Sequence, residues 1–268
     1  MTSTKASVFS TIVNELTQSG DLRTWSVIVT IFGDLAQNST DSISGPLLSV
    51  LTQPIGIKPQ AMRVALHRLR RDGWIVTVKN GRTSRHLLSD YGLEQSLIAS
   101  PRIYEQVPEM PENWHILAAN RKLTNTHKTL IENGYLCAFP GIYIGIGEAP
   151  ADTSNYLVLE GRLTSIPPWL QKRVVEQANV NDYVALGQHL TSIRRMLDGG
   201  FTSDPIETAV IRSLIVHNWR RIVLRQPDLS AELLGNSVTT TCRALVRDLL
   251  ESLGRPSLAE LEMAIGKP

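Results

Sequence analysis

The sequence predicts an α+β chain in three parts: an N-terminal winged helix-turn-helix, a small ferredoxin-like α/β domain and a C-terminal helical domain. Three observations predict it. Between Lys58 and Leu88 an apolar stripe of helical period runs into two strand-like segments joined by a tight turn. From Trp114 the pattern changes to strand, helix and a run of short strands. After Pro167-Pro168 it is helical to the end. The expected boundaries are residues 1–92, a linker at 93–113, the α/β domain at 114–177 and the helical domain at 178–268.

Lys5 to Gln18 carries Phe9, Ile12, Val13 and Leu16 on one stripe, so a short amphipathic helix is expected, either packed on the first domain or paired with a second subunit. Arg23 to Gln37 reads as a buried first helix through Trp25, Ile28, Val29, Phe32 and Leu35. A polar loop leads to a second helix at Gly45–Gln53, and Pro54-Ile-Gly-Ile57 turns the chain into the recognition helix. Pro59 suits the first helical position, because its missing N–H would lack a partner there. Met62, Ala65, Leu66 and Leu69 form the buried stripe, leaving Gln60, Arg63, Val64, His67, Arg70 and Arg71 on the other side. Gly73 ends the helix. Trp74–Lys79 and Arg82–Leu88 are the strands of the wing, with Asn80-Gly81 as the expected hairpin turn.

In the middle domain, strands are expected at Trp114–Ala119, Tyr135–Phe139, Ile142–Ile146 and Tyr156–Leu163, with a helix at Lys122–Asn133 closed by Gly134. Trp169–Gln177 begins the helical part, and a further helix opening at Asp182 ends at Gly199-Gly200. Asp204, Pro205 and Glu207 form a capping-box start for a helix running to about Arg225. Thr240–Leu253 and Leu258–Ile265 are the last two.

Composition narrows the function. The 42% hydrophobic and 19% charged fractions are those of an ordinary globular protein. No apolar run approaches the ~20 residues of a membrane span, and the N-terminus lacks a signal-peptide pattern. Cys137 and Cys242 stand apart without metal-ligand spacing, so reduced core thiols and a cytoplasmic location are expected. Eight of the chain's 27 Lys and Arg fall between Lys58 and Arg85, against one of its 25 acids, Asp72. Such a local cationic cluster is the electrostatic footprint of a nucleic-acid surface.

Metal-dependent phosphodiester cleavage by the middle domain is the competing function. It would want a carboxylate at the end of the first strand, which instead reads Ala118-Ala-Asn-Arg121. Glu148 and Asp152 are ordinary loop acids, and no histidine, Ser/His/Asp or glycine-loop pattern points to catalysis, so no enzyme and no cofactor are expected. The middle domain also lacks the paired aromatics that stack RNA bases.

Three segments of the first domain stand out: Ser26-Val-Ile-Val-Thr-Ile-Phe-Gly-Asp34, Gly56-Ile-Lys-Pro-Gln-Ala-Met-Arg-Val-Ala-Leu-His-Arg-Leu69 and Gly81-Arg-Thr-Ser84. Leu214-Ile-Val-His-Asn-Trp-Arg-Arg221 and Leu224-Arg-Gln-Pro-Asp-Leu-Ser-Ala-Glu-Leu-Leu234 follow near the C-terminus. In these residues and in the order of its parts the chain resembles the PaaX-type transcriptional repressors of phenylacetate catabolism. The chain departs from the family at Asn236-Ser-Val-Thr-Thr240, where Trp-Pro-Gly is usual. The resemblance implies a homodimeric repressor on a palindromic double-stranded DNA operator, released by an acyl-CoA effector, typically phenylacetyl-CoA.

In the major groove, Gln60, Arg63 and His67 are the base-reading candidates, since Gln pairs bidentately with adenine and Arg with guanine. Arg70 and Arg71 lie further along the helix and are expected at phosphates, with Lys79, Arg82 and Arg85 on the wing meeting the neighbouring groove or backbone. Arg68 lies at the edge of the apolar stripe, where an internal salt bridge competes with a DNA contact. For the effector, His217, Arg220, Arg221 and Arg225 share one helix and are the candidates for coenzyme A phosphates, against the alternative of an exposed face or a buried His–Arg pair.

Overall fold

Long-range packing sorts the chain differently from the linear order of its segments. A computed structural model of the protein describes residues 2–18, 22–81, 83–104, 113–119, 126–177, 180–224 and 238–266. It is a mixed α and β chain with two antiparallel sheets, in two compact units. The first comprises Met1–Tyr104, Ala185–Arg220 and Ala244–Pro268, the second Glu105–Val184 and Arg221–Arg243. The helices expected as one C-terminal domain at 178–268 are therefore shared out, and most of them complete the N-terminal unit.

The first unit is built around helix α2 (Thr24–Leu35), in which Val27, Ile28, Val29, Ile31, Phe32 and Leu35 are all buried. A helix apolar on nearly every side has to be enclosed. Helix α1 (Thr2–Gln18) buries Ile12, Val13 and Leu16 in this unit. Helix α9 (Pro205–Val223) is buried without a break from Thr208 to Trp219. It starts with the expected capping box: the Glu207 N–H donates to Asp204 Oδ1 at 2.9 Å and the Asp204 N–H to Glu207 Oε2 at 3.0 Å. Asn218 Nδ2 then donates to the Leu16 carbonyl at 2.9 Å. Trp219 Nε1 donates to the carbonyl of Ile103, in helix α5 (Asp90–Tyr104), at 3.0 Å.

A buried charge sits in the same core. The Asp34 carboxylate accepts from Arg212 at 3.0 and 3.2 Å and from the Tyr104 hydroxyl at 2.9 Å. Three elements distant in sequence are thereby fixed to one side chain.

Helix α3 (Gly45–Thr52) is capped by Ser44, whose Oγ accepts from the Leu47 N–H at 3.2 Å. Gly56, at φ 81°, makes the turn into α4 (Pro59–Arg71) in a left-handed conformation that other residues adopt poorly. Strands β1 (Ile43–Ser44), β2 (Ile75–Asn80) and β3 (Thr83–Leu88) form a sheet in the order β1-β3-β2. Its register pairs Ile75 with Leu88 and Asn80 with Thr83, which moves the hairpin turn one residue beyond the expected Asn80-Gly81. The reason is side-chain alternation: this register buries Ile75 and Leu88 together. It also sets Lys79 opposite Ser84 and not opposite Arg82, avoiding a like-charge pair. At the far end Gly92 packs so closely that a Cβ there would lie 2.1 Å from the Trp74 carbonyl oxygen.

In the second unit, β4 (Trp114–Ala119), β5 (Leu136–Phe139), β6 (Ile142–Ile146) and β7 (Tyr156–Gly161) form an antiparallel sheet in the order β5-β6-β4-β7. Alternation gives it two apolar faces. Trp114, Leu136 and Ala138 pack with Leu170 and Val174 of helix α7 (Pro168–Gln177). On the other face Leu117 and Tyr143 pack with Leu130 of helix α6 (Thr126–Glu132). Helices α8 (Val180–Asp198), α10 (Val238–Leu253) and α11 (Leu258–Gly266) complete the described elements.

Candidate nucleic-acid interface

Helix α4 is strongly two-sided. Met62, Ala65 and Leu69 are buried, and Gln60, Arg63, Val64, His67, Arg70 and Arg71 are exposed. At about 100° per residue, Gln60, Val64, His67 and Arg71 point most directly away from the buried stripe. Arg63 and Arg70 flank them on the side of the hairpin. A groove of about 530 Å³ between α4 and the hairpin is lined by Arg63, Leu66, His67, Arg70, Ser84 and His86, among others. Arg63 Nε folds back on the Pro59 carbonyl at 3.4 Å, so of the three base-reading candidates Gln60 and His67 face outward and Arg63 sideways. The helix closes at Gly73 (φ 78°), with the Trp74 N–H donating to the Leu69 carbonyl at 2.8 Å.

The segment's single acid is spent locally. Asp72 pairs with Arg68 at 3.3 Å and Arg71 at 3.1 Å. Desolvation pulls its carboxyl upward, but the hydrogen bonds from Arg71 and Arg68 outweigh that and hold it below its ordinary value. Such surface pairs are weak, and the Arg71 side chain stays 69% exposed, free to meet an anion. Arg68 also lies over the Trp25 ring, 5.2 Å from its centroid, so it is held on the flank of α4 as its place at the stripe's edge implied.

On the hairpin the expected residues divide. Lys79 is exposed on β2, and Arg82 lies outside the described residues. Arg85 is committed inward: its guanidinium donates to Ser42 Oγ at 2.8 Å and the Ser42 carbonyl at 2.9 Å, and pairs with Glu262 of α11 at 3.2 Å. Glu262 also accepts from the Ser44 N–H and hydroxyl, at 3.2 and 3.1 Å. Arg85 is thus a structural clamp, and the sequence around it held no sign of its partner 177 positions on. His86 is buried behind the helix with its Nδ1 2.9 Å from Thr77 Oγ1. Burial, and then the charge of Arg70, depress its pKa below 6.5.

The effector candidates also divide. His217 is fully buried, with Nδ1 3.3 Å from Thr30 Oγ1. Arg220 donates to Thr30 Oγ1 at 3.0 Å and the Ser26 carbonyl at 3.4 Å. Both therefore tie α9 to α2 through Thr30. Arg221 is half-buried and Arg225 lies outside the described residues. Among the described residues no group of three His, Cys, Asp or Glu could hold a metal ion, and no helix is long and apolar enough to cross a membrane. Strand β4 ends in Ala118 and Ala119, and residues 120–121 lie outside the described ones.

Residues 23–92 match the family described as PaaX-like protein, and residues 176–262 its C-terminal domain. The chain belongs to the PaaX-like family. The first match spans α2 through the hairpin to the start of α5, and the second takes in α8 to Glu262 of α11. Within the family, the transcriptional repressor PaaX of Escherichia coli (strain K12) is 25% identical over 261 aligned positions, covering 87% of this chain and 81% of that one. In fold, the chain is similar to the uncharacterized protein Rv0674 from Mycobacterium tuberculosis, with a TM-score of 0.55 at 19% identity over 92% of this chain and all of the other.

Proposed function

We propose that this PaaX-like chain is a sequence-specific transcriptional repressor that reads double-stranded DNA with a winged helix-turn-helix made of α2, α3, α4 and the β2–β3 hairpin. The observation that carries the reading is the outward face of α4, where polar and cationic side chains stand exposed opposite a buried stripe and the segment's one acid is already paired. A helix about 20 Å long fits the major groove, where base edges carry a distinguishable donor and acceptor code. Gln60 and His67 are the reading residues, Arg63 and Arg70 serve the groove side, and Arg71 and Lys79 meet phosphate. One such module reads few base pairs, so the protein acts as a homodimer on a palindromic operator in the cytoplasm.

The second sheet serves this reading as a ferredoxin-like domain: its strand order is that of the fold, with the loop 147–155 where a second crossover helix would lie. Release from the operator is by an acyl-CoA such as phenylacetyl-CoA. Because His217 and Arg220 are engaged with α2, the cationic contact to the coenzyme A phosphates narrows to Arg221 and Arg225.

The test is a mobility-shift assay of the full chain on DNA selected from a random duplex library, repeated with phenylacetyl-CoA and unrelated acyl-CoAs. Enrichment of a palindrome, and its release by the aryl acyl-CoA, is expected. No enrichment refutes the DNA reading, and enrichment without release refutes the effector alone.

A further inference from the structure

The centre of the α4 face holds a residue that charge does not explain. Val64 is 64% exposed, one turn from Gln60 and less than one from His67, with polar side chains on one side of it and Ala61 on the other. Helix formation does not account for it, since a β-branched residue is a poorer helix former than alanine. Nor does the core, whose stripe through Met62, Ala65 and Leu69 lies on the opposite side. The apolar surface continues from Val64 through Ala61 to Trp25, along a shallow groove of about 520 Å³ rimmed by Lys58, Gln60 and Arg68. An apolar strip with a cationic rim fits an anionic polymer that presents an apolar group between its charges.

We propose that Val64 is a specificity-determining residue, packing its methyl groups against the C5-methyl of a thymine in the major groove. This rests on the DNA-binding reading and deepens it to a base preference. Of the four major-groove edges only that of thymine carries an apolar group, so an exposed valine beside an amide and an imidazole selects a T within the site read by Gln60 and His67. Covering the pair of alkyl surfaces removes both from water, and the effect of one methyl group is about fourfold in affinity.

The experiment uses the full chain and the duplex enriched from the random library. Each thymine is replaced in turn by uracil, which deletes the methyl and leaves every hydrogen-bonding group in place. For the wild-type chain at least one replacement in the site should weaken binding by about threefold to tenfold. Val64→Ala should bind the parent duplex more weakly by a similar factor and show no further loss with that uracil. Val64→Thr, which keeps one methyl, should fall between. Position 64 is solvent-exposed on a helix, so an unchanged circular dichroism spectrum accompanies the result for both variants. If no single uracil alters wild-type affinity, or if Val64→Ala keeps the full uracil effect, the inference is overturned while DNA binding stands. If no duplex is enriched at all, the DNA-binding reading itself has failed.

Discussion

Replacing Asp34 by alanine should be among the most damaging single changes in the first unit. The Asp34 side chain is 0% exposed and that of Arg212 only 4%. The carboxylate accepts from Arg212 Nε at 3.2 Å, Arg212 Nη2 at 3.0 Å and the Tyr104 hydroxyl at 2.9 Å. Removing it strands a guanidinium that cannot retreat to water, because Arg212 Nη1 still donates to the Leu250 carbonyl at 2.6 Å. Breaking a buried pair from one side costs about 3–5 kcal/mol, a large share of the ~5–15 kcal/mol that holds a typical domain folded. Arg255, 3.6 Å from the same oxygen but 39% exposed, changes that figure little. Urea unfolding followed by tryptophan fluorescence measures the loss. Asp34→Ala combined with Arg212→Met should recover part of it, since no charge is then left buried. A loss below about 1 kcal/mol in the single variant would refute the argument that this pair organises the core.

His86 gives a pH signature. Burial lowers its folded pKa below 6.5, so the unfolded chain binds the proton more readily; the stability is present above pH 6.5 and is lost as pH falls below it. His86→Gln should flatten the fall in unfolding free energy between pH 7 and pH 5.5, and parallel slopes for both proteins would contradict this. Arg85→Ala should lower stability by about 1–3 kcal/mol through the lost bonds to Ser42 and Glu262, with the salt dependence of DNA binding unchanged. Lys79→Ala should do the reverse, lowering the salt slope by about one charge at unchanged stability; the opposite assignment of the two effects would overturn the placement of Arg85.

Local chemistry made much of this molecule legible in advance. Pro59 and Gly73 bound α4 to within a residue, and the strand expected at Trp114–Ala119 coincides with β4 from end to end. The Asp204–Glu207 capping box was readable because both partners lie within one turn. What stayed hidden depends on contacts far apart in sequence. Strand β1 is two residues long and exists because Ile43 and Ser44 pair with His86 and Arg85. The burial of Asp34 is set by Arg212, 178 positions away. Arg85 looks like a surface cation in sequence, yet its guanidinium ends on Ser42 and Glu262, since a long aliphatic stem lets a guanidinium be drawn into a partly buried site. Val64 is legible on the open side of the helix, but only its exposure in the folded chain, beside Trp25, marks it as open apolar surface.

The central claim is that the outward face of α4 reads bases, and the double variant Gln60→Ala/His67→Ala tests it most directly. Its affinity should be measured by fluorescence anisotropy on the enriched duplex and on an unrelated duplex of equal length, over a range of salt. Each lost base contact is worth about 1–3 kcal/mol. The account predicts a loss of tenfold or more on the enriched duplex, with unrelated-DNA affinity and salt slope unchanged, because neither residue is a fixed charge at a phosphate. An equal loss on both duplexes, or none on either, would contradict it.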